Sequence, residues 1–286
     1  MKQLALGFLC CLAILGFSSG NSQTGIREEK ITYLSGKLRI KARVWFPSGS
    51  GVAPSVLYNH GGVTGLSSGT LKRCRELAQA GFVVFASAYR GEDGSDGRVE
   101  VSKGEVDDVL AGMNWLKTQA RVDPKRIAMM GTSHGALVGL LAAARTSELR
   151  ALVFAYGVSD IYKWYRYLID SKQLANDQLT KDTYGNGPAD RPQSFAIRNG
   201  LSVLPQLSSV MPTLILQGEK DTTVPPEQAQ FLFDGLTKLE RPVILKTYPN
   251  SGHGFINTRD ALKGVQLQES LKAWKMALEF LKANTN

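Results

Sequence analysis

The chain of 286 residues is poor in the residue types that build metal centres and covalent cross-links, with three cysteines and three histidines in all. Cys10 and Cys11 lie in an apolar run near the N-terminus, which leaves Cys74 as the one thiol of the remainder. A single thiol cannot form an internal disulfide, so stability is expected to come from a hydrophobic core. Cys74 falls in a helix-like run from Leu71 to Ala80 and reads as a small buried hydrophobe. No zinc-type ligand spacing and no phosphate-cradling glycine loop occur. Glu92, Asp93 and Asp96 match no complete calcium loop and read as a solvated turn, so no metal or cofactor is expected. The surplus of 34 basic over 25 acidic residues is scattered rather than interleaved with aromatics, so a nucleic-acid partner is not expected.

Long apolar runs are also scarce. Leu4 to Phe17, about 14 residues, follows Lys2 and precedes Ser18-Ser19-Gly20, short of the ~20 that a spanning helix needs. A charged start, a short apolar centre and small residues at the end read as a signal peptide over residues 1–20, with cleavage near Gly20. The expected location is periplasmic or secreted, with no stable membrane insertion after cleavage. The alternatives are a retained anchor and lipidation at Cys10 or Cys11. The sequence carries no sign of oligomeric state.

What is present is an ordinary globular composition, 43% hydrophobic and 21% charged, enough for one large domain over residues 21–286. Residues 28–34 and 37–46 alternate polar and apolar around Ser35-Gly36 and read as an antiparallel hairpin. Strand-like and helix-like stretches then alternate. Strands are expected at 55–59, 82–86, 127–130, 151–155, 213–217 and 242–248, and helices at 71–80, 105–118, 136–144, 226–239 and 261–282. Asp123-Pro124 is expected to stop the chain before the strand at Ile127, and Glu105, Asp107 and Asp108 read as helix-dipole acids. Such alternation demands an α/β fold, a mostly parallel doubly wound sheet with helices on both faces. Residues 157–205 break the pattern with aromatics followed by Gly185, Gly187, Pro188 and Pro192, and read as a cap insertion with some helix of its own.

The stretch Ile127-Ala128-Met129-Met130-Gly131-Thr132-Ser133-His134-Gly135-Ala136 carries the chemistry. A strand running into Gly-x-Ser-x-Gly and on into a helix leaves the serine strained and exposed at a sharp turn. A serine hydroxyl attacks a carbonyl only if a base takes its proton, most often an imidazole held by a carboxylate. His60 ends an early strand and is expected to brace its loop, and His134 adjoins Ser133 and cannot easily fold back onto its hydroxyl. His253, in a flexible loop after the last strand, is the base by elimination and by position. The carboxylate is Asp221, at the tip of the loop after residues 213–217, with Glu219 as the fallback. The order Ser133, Asp221, His253 belongs to one hydrolase superfamily and not to the chymotrypsin or subtilisin arrangements. Oxyanion donors are expected from the His134 N–H and from Gly62 or Val63 in His60-Gly61-Gly62-Val63.

From Val56 to Leu281 these residues resemble the α/β-hydrolase fold and, within it, the catalytic domain of the prolyl oligopeptidase family of serine peptidases. Gly81-Phe82-Val83-Val84 through Tyr89-Arg90-Gly91 looks like that family's strand and Arg-Gly turn. Val122-Asp123-Pro124 leading to Gly131-Thr132-Ser133, Gly218-Glu219-Lys220-Asp221 with Val224-Pro225, and Gly252-His253-Gly254-Phe255 are similar to its nucleophile, acid and base motifs. The resemblance implies that Trp164 and Tyr165 surround the substrate. The chain departs from the family at Ala136, where many members have glycine, and by holding no segment that reads as a β-propeller. Small relatives include carboxylesterases and dienelactone hydrolase-like enzymes, the latter typically with cysteine in place of Ser133. The expected activity is hydrolysis of a small peptide or ester through an acyl-enzyme; the alternative from another class is a binding protein on a hydrolase scaffold.

Overall fold

The structure, a computed structural model, describes residues 25–285. The expected signal peptide at 1–20 lies outside the described residues. Eight strands form one sheet in the order β1-β2-β4-β3-β5-β6-β7-β8. β1 (Arg27–Ser35) and β2 (Leu38–Phe46) are the expected hairpin, closed by Ser35 opposite Leu38 around Gly36 at φ +59°. β2 pairs antiparallel with β4 (Val83–Ser87), and β3 (Ala53–Asn59), β4, β5 (Val122–Thr132), β6 (Leu149–Ala155), β7 (Thr213–Gly218) and β8 (Val243–Tyr248) run parallel.

Helices cover both faces, as the alternation of side chains along each parallel strand requires. On one face Leu57, Phe85, Met129, Phe154 and Ile215 meet α2 (Gly104–Lys117), α3 (His134–Ala143) and α7 (Glu227–Lys238). On the other, Tyr58, Val84, Met130, Val153 and Leu216 meet α1 (Ser68–Gln79) and α8 (Gly264–Thr285). Cys74 is fully buried in the second layer, and burial pushes its thiol well above its ordinary value, as an inert packing residue should be. α3 is apolar on every side and buried from Gly135 to Ala143, so the turn at Ser133 is backed by a helix with no solvent face. This is the α/β-hydrolase arrangement.

One boundary differs from expectation. β5 begins at Val122 and runs through Asp123-Pro124 rather than starting at Ile127. Its register against β3 shifts between Ala53 and Ser55, so Pro124 sits in an irregularity where a missing ladder donor costs little. The stretch 157–205 holds α4 (Ile161–Asp170), α5 (Gln178–Tyr184), α6 (Pro192–Ala196) and two 3₁₀ turns. Tyr165, Tyr184 and Phe195 pack together there with ring centroids 5.0 to 5.9 Å apart.

The strand order positions the site. After β3 the chain crosses to β4 on one side, and after the adjacent β5 it crosses to β6 on the other, so the loops leaving β3 and β5 diverge and open a crevice at the carboxyl ends of the strands. The loops after β7 and β8 leave the same edge further along the parallel set.

Candidate active site

Ser133 lies between β5 and α3 at φ 53°, ψ −123°, a conformation that a residue with a Cβ rarely adopts. Serine commonly caps a helix with its own hydroxyl, but here the side chain makes no cap bond and its oxygen is turned out of the helix. Two flanking glycines leave room for that turn. A Cβ on Gly131 would lie 2.3 Å from the Gly135 carbonyl oxygen, and one on Gly135 would lie 2.2 Å from that of Asn59. Both contacts are to backbone, which cannot rotate away. Gly61 is constrained in the same way, because its Cβ would meet the Thr132 carbonyl oxygen at 2.9 Å. The loop after β3 therefore rests directly on the turn at Ser133.

The expected residues meet. Ser133 Oγ is 2.8 Å from His253 Nε2, and His253 Nδ1 is 2.8 Å from Asp221 Oδ2. A carboxylate only accepts, so the Nδ1 proton is donated to Asp221 and Nε2 presents its lone pair to the serine hydroxyl. The Asp221 side chain is fully buried and that of His253 is 25% exposed. Asp221 is held by four donors: His253, the Thr223 and Val224 amides at 2.9 Å, and Gln217 Nε2 at 3.3 Å. Glu219, the fallback acid, instead accepts from the Thr247 hydroxyl at 2.7 Å.

Several residues that hold this geometry carry no motif signature. Tyr156, buried at φ 41° after β6, meets the His253 ring edge to face with centroids 5.3 Å apart. Glu269 on α8 accepts from Ser251 Oγ at 2.7 Å and from the amide and side chain of Asn250, tying down the loop that leads to His253. Burial alone would raise its carboxyl, but the hydrogen bonds from Ser251 and Asn250 outweigh that and hold it below its ordinary value. An acid 18 and 19 residues away from its partners looks in sequence like any surface glutamate.

Around Ser133, the His134 amide is the first of α3 and so has no intrahelical carbonyl to bond. Gly62 stands at φ +74° in the loop beside it, followed by Val63. His60 is fully buried and donates from Nδ1 to the Gly61 carbonyl at 3.1 Å, a brace on its own loop. The turn at Glu92 to Asp96 is solvated as expected at Asp93 and Gly94, but not at Glu92. Glu92 is buried, accepts from the Gly65 amide at 2.8 Å and lies 3.2 Å from His60 Nε2, while Asp93 accepts from the Leu66 amide at 2.9 Å. Glu105 and Asp108 do more than face a helix dipole: both are fully buried, Glu105 accepting from the Glu100 and Val101 amides and Asp108 pairing with Arg90.

Trp164 and Tyr165 separate. Trp164 is partly exposed and donates Nε1–H to the Thr223 carbonyl at 3.1 Å, so it touches the loop that carries Asp221. Tyr165 is 3% exposed, with its hydroxyl on the Gly185 carbonyl at 2.7 Å, and belongs to the packing of the insertion rather than to an open surface. Helix spacing explains the split: consecutive residues face different sides. Among the described residues no group of three or more His, Cys, Asp or Glu side chains is placed to hold a metal ion.

Residues 71–276 match the prolyl oligopeptidase family. The uncharacterized peptidase YtmA of Bacillus subtilis is 28% identical over 231 residues, covering 80% of this chain and 87% of that protein. The acylaminoacyl peptidase of Pyrococcus horikoshii superposes with a TM-score of 0.76 at 18% identity, over 92% of this chain but only 42% of its own. The Pyrococcus furiosus esterase Pf2001 superposes at 0.69 and 20% identity, over 91% of this chain and 94% of its own. This chain thus spans less than half the length of the acylaminoacyl peptidase, and those two structural likenesses speak to the fold. With the family match covering most of the chain, it belongs to the prolyl oligopeptidase family and is a serine hydrolase, a peptidase or an esterase.

Proposed function

We propose that the chain is an exported serine peptidase that cleaves short peptides through an acyl-enzyme, with Ser133 as nucleophile, His253 as general base and acid, and Asp221 as the carboxylate that orients the imidazole. The observation that carries this reading is the unbroken relay of two 2.8 Å contacts that ends on a serine held at positive φ. In the first step Ser133 Oγ bonds to the substrate carbonyl carbon as its proton passes to His253 Nε2, and the carbonyl π pair moves onto oxygen. The oxyanion is met by the His134 amide and by an amide of the Gly62-Val63 stretch. Collapse of that intermediate breaks the bond to the leaving amine, which departs with the proton from Nε2. A water then attacks the acyl-enzyme by the same route in reverse and frees Ser133.

Trp164 is the substrate-facing aromatic of this reading, because it combines an exposed edge with a direct bond to the Asp221 loop; Tyr165 supports it from within the insertion. The peptidase relative that matches over most of its own length favours amide substrates. An ester substrate is the second reading, favoured by an esterase of similar size with the same fold. Both bonds pass through one tetrahedral intermediate, so a side-by-side assay of proline-containing peptide amides and short-chain aryl esters separates them. Turnover of the amides is the expected result, and turnover of esters alone would remove the peptidase assignment. Export rests on residues 1–20, and N-terminal sequencing of the protein from its native host tests it: a mature start near Asn21 is expected, and a retained Met1 would overturn it.

A further inference from the structure

The loop after β3 is gripped by its backbone from a buried cluster behind the nucleophile. His60 donates from Nδ1 to the Gly61 carbonyl at 3.1 Å, and His134 Nδ1 is 3.0 Å from the Gly62 carbonyl. Two consecutive carbonyls are thus turned to two imidazoles. Tyr89, fully buried, lies between them: it stacks on His60 with centroids 4.2 Å apart and meets His134 edge to face at 6.1 Å. Because a carbonyl only accepts, the His134 proton must sit on Nδ1. Burial, the largest influence, pushes the His134 ring below its ordinary value against the opposing pull of Glu105, which favours a neutral imidazole. Its Nε2 is then bare, and that atom is buried with no hydrogen-bond partner.

The C=O and N–H of a trans peptide point in opposite directions, and no peptide among the described residues is cis. A Gly62 carbonyl drawn into the cluster therefore sends the Val63 N–H out of it. The same loop passes over the nucleophile, since a Cβ on Gly61 would stand 3.0 Å from Ser133 Cβ. The positive φ of Gly62 makes this peptide unit free to turn over in the absence of an anchor.

We propose that the His134 imidazole is a positioning residue of the oxyanion site: by holding the Gly62 carbonyl it fixes the Val63 N–H as the second donor to the tetrahedral intermediate. The residue after the nucleophile then serves twice, with its own amide as one donor and its ring setting the other. This inference rests on the reading of Ser133 as nucleophile. It predicts a cost confined to the transition state, because a misdirected donor weakens the oxyanion contact and leaves substrate binding intact.

The test compares His134→Leu with His134→Asn, two side chains of similar branching of which only asparagine offers a donor near the place of Nδ1. His134→Leu should lower kcat by about 10²-fold, the scale of one lost oxyanion donor, and weaken a trifluoromethyl ketone inhibitor by a similar factor while KM stays nearly constant. His134→Asn should recover most of the loss, which a purely structural role would not give. A His134→Leu enzyme at wild-type kcat, an Asn variant as impaired as Leu, or a loss confined to KM would each overturn the proposal. Should the Leu variant not fold, nitrogen NMR of the wild-type imidazole decides: an Nδ1–H tautomer is expected and an Nε2–H tautomer contradicts it. Failure of Ser133 to react in the wild type would instead sink the nucleophile reading, and the two failures are distinguishable.

Discussion

The turn that carries Ser133 and the insertion that meets the Asp221 loop are held by different physical means. From Gly131 to Gly135 the chain is fixed by steric necessity: each glycine faces backbone at distances that a Cβ cannot share, and the helix behind has no exposed side. The insertion touches the Asp221 loop through replaceable bonds, from Trp164 Nε1 to Thr223 O, and from Tyr167 Oη and Gln173 Nε2 to Thr222 O. Its interior is built on the packed rings of Tyr165, Tyr184 and Phe195, which continue into the core on one face of the sheet. The difference teaches where a serine hydrolase can vary. The turn that presents Ser133 is over-determined, while the insertion meets the Asp221 loop through contacts that can be exchanged without disturbing the sheet.

That contrast is sharpest for Asp221→Asn. The fold should survive, since the Thr223 and Val224 amides still meet an oxygen, but the ring tautomer loses its anchor and kcat should fall by about 10⁴-fold with KM little changed. Steady-state kinetics on the soluble variant checks it. Gly135→Ala comes next: the new methyl would collide with the Asn59 and His60 carbonyl oxygens, and a loss of about 3 kcal/mol, at the upper end of overpacking penalties, is expected in urea unfolding. In the insertion the effects should be smaller and of another kind. Trp164→Ala should raise KM several-fold, on the scale of about 1 kcal/mol for a hydrogen-bonded contact, and leave kcat within about twofold. A kcat loss as large as that of Asp221→Asn would erase the distinction between the two regions.

The smallest expected effect concerns Glu269. Its folded carboxyl lies below the ordinary value of 4.5, so its contribution to stability is present above that value and is lost as pH falls through the lowered folded one. Glu269→Gln should therefore lower Tm by a few degrees at neutral pH and leave it unchanged in acid below both values. An equal loss at both pH values would mean that packing, not charge, holds the His253 loop.

The same contrast governs what could be read in the sequence. The hairpin around Gly36, the parallel strands and the Ser133, Asp221 and His253 loops were legible because their residue types are forced locally: a turn needs its glycine, and a buried strand needs an apolar run. Long-range partners were not legible. Glu92 and Glu105 look like surface acids until the structure brings the Gly65, Glu100 and Val101 amides to them. Pro124 looked like a stop because the register shift that tolerates it shows only when β5 is paired with β3. Tyr165 is an aromatic of the right kind one position away from the exposed edge, and only its bond to Gly185 reveals that it faces inward.

The central claim is that Ser133 is activated by its alignment with His253 and Asp221. A fluorophosphonate probe reacts only with a serine so activated, and peptide mass mapping locates the adduct. Labelling of the wild type on Ser133, absent from Ser133→Ala and strongly reduced in His253→Ala, is the expected result. An unlabelled wild type, or equal labelling of wild type and Ser133→Ala, would contradict it.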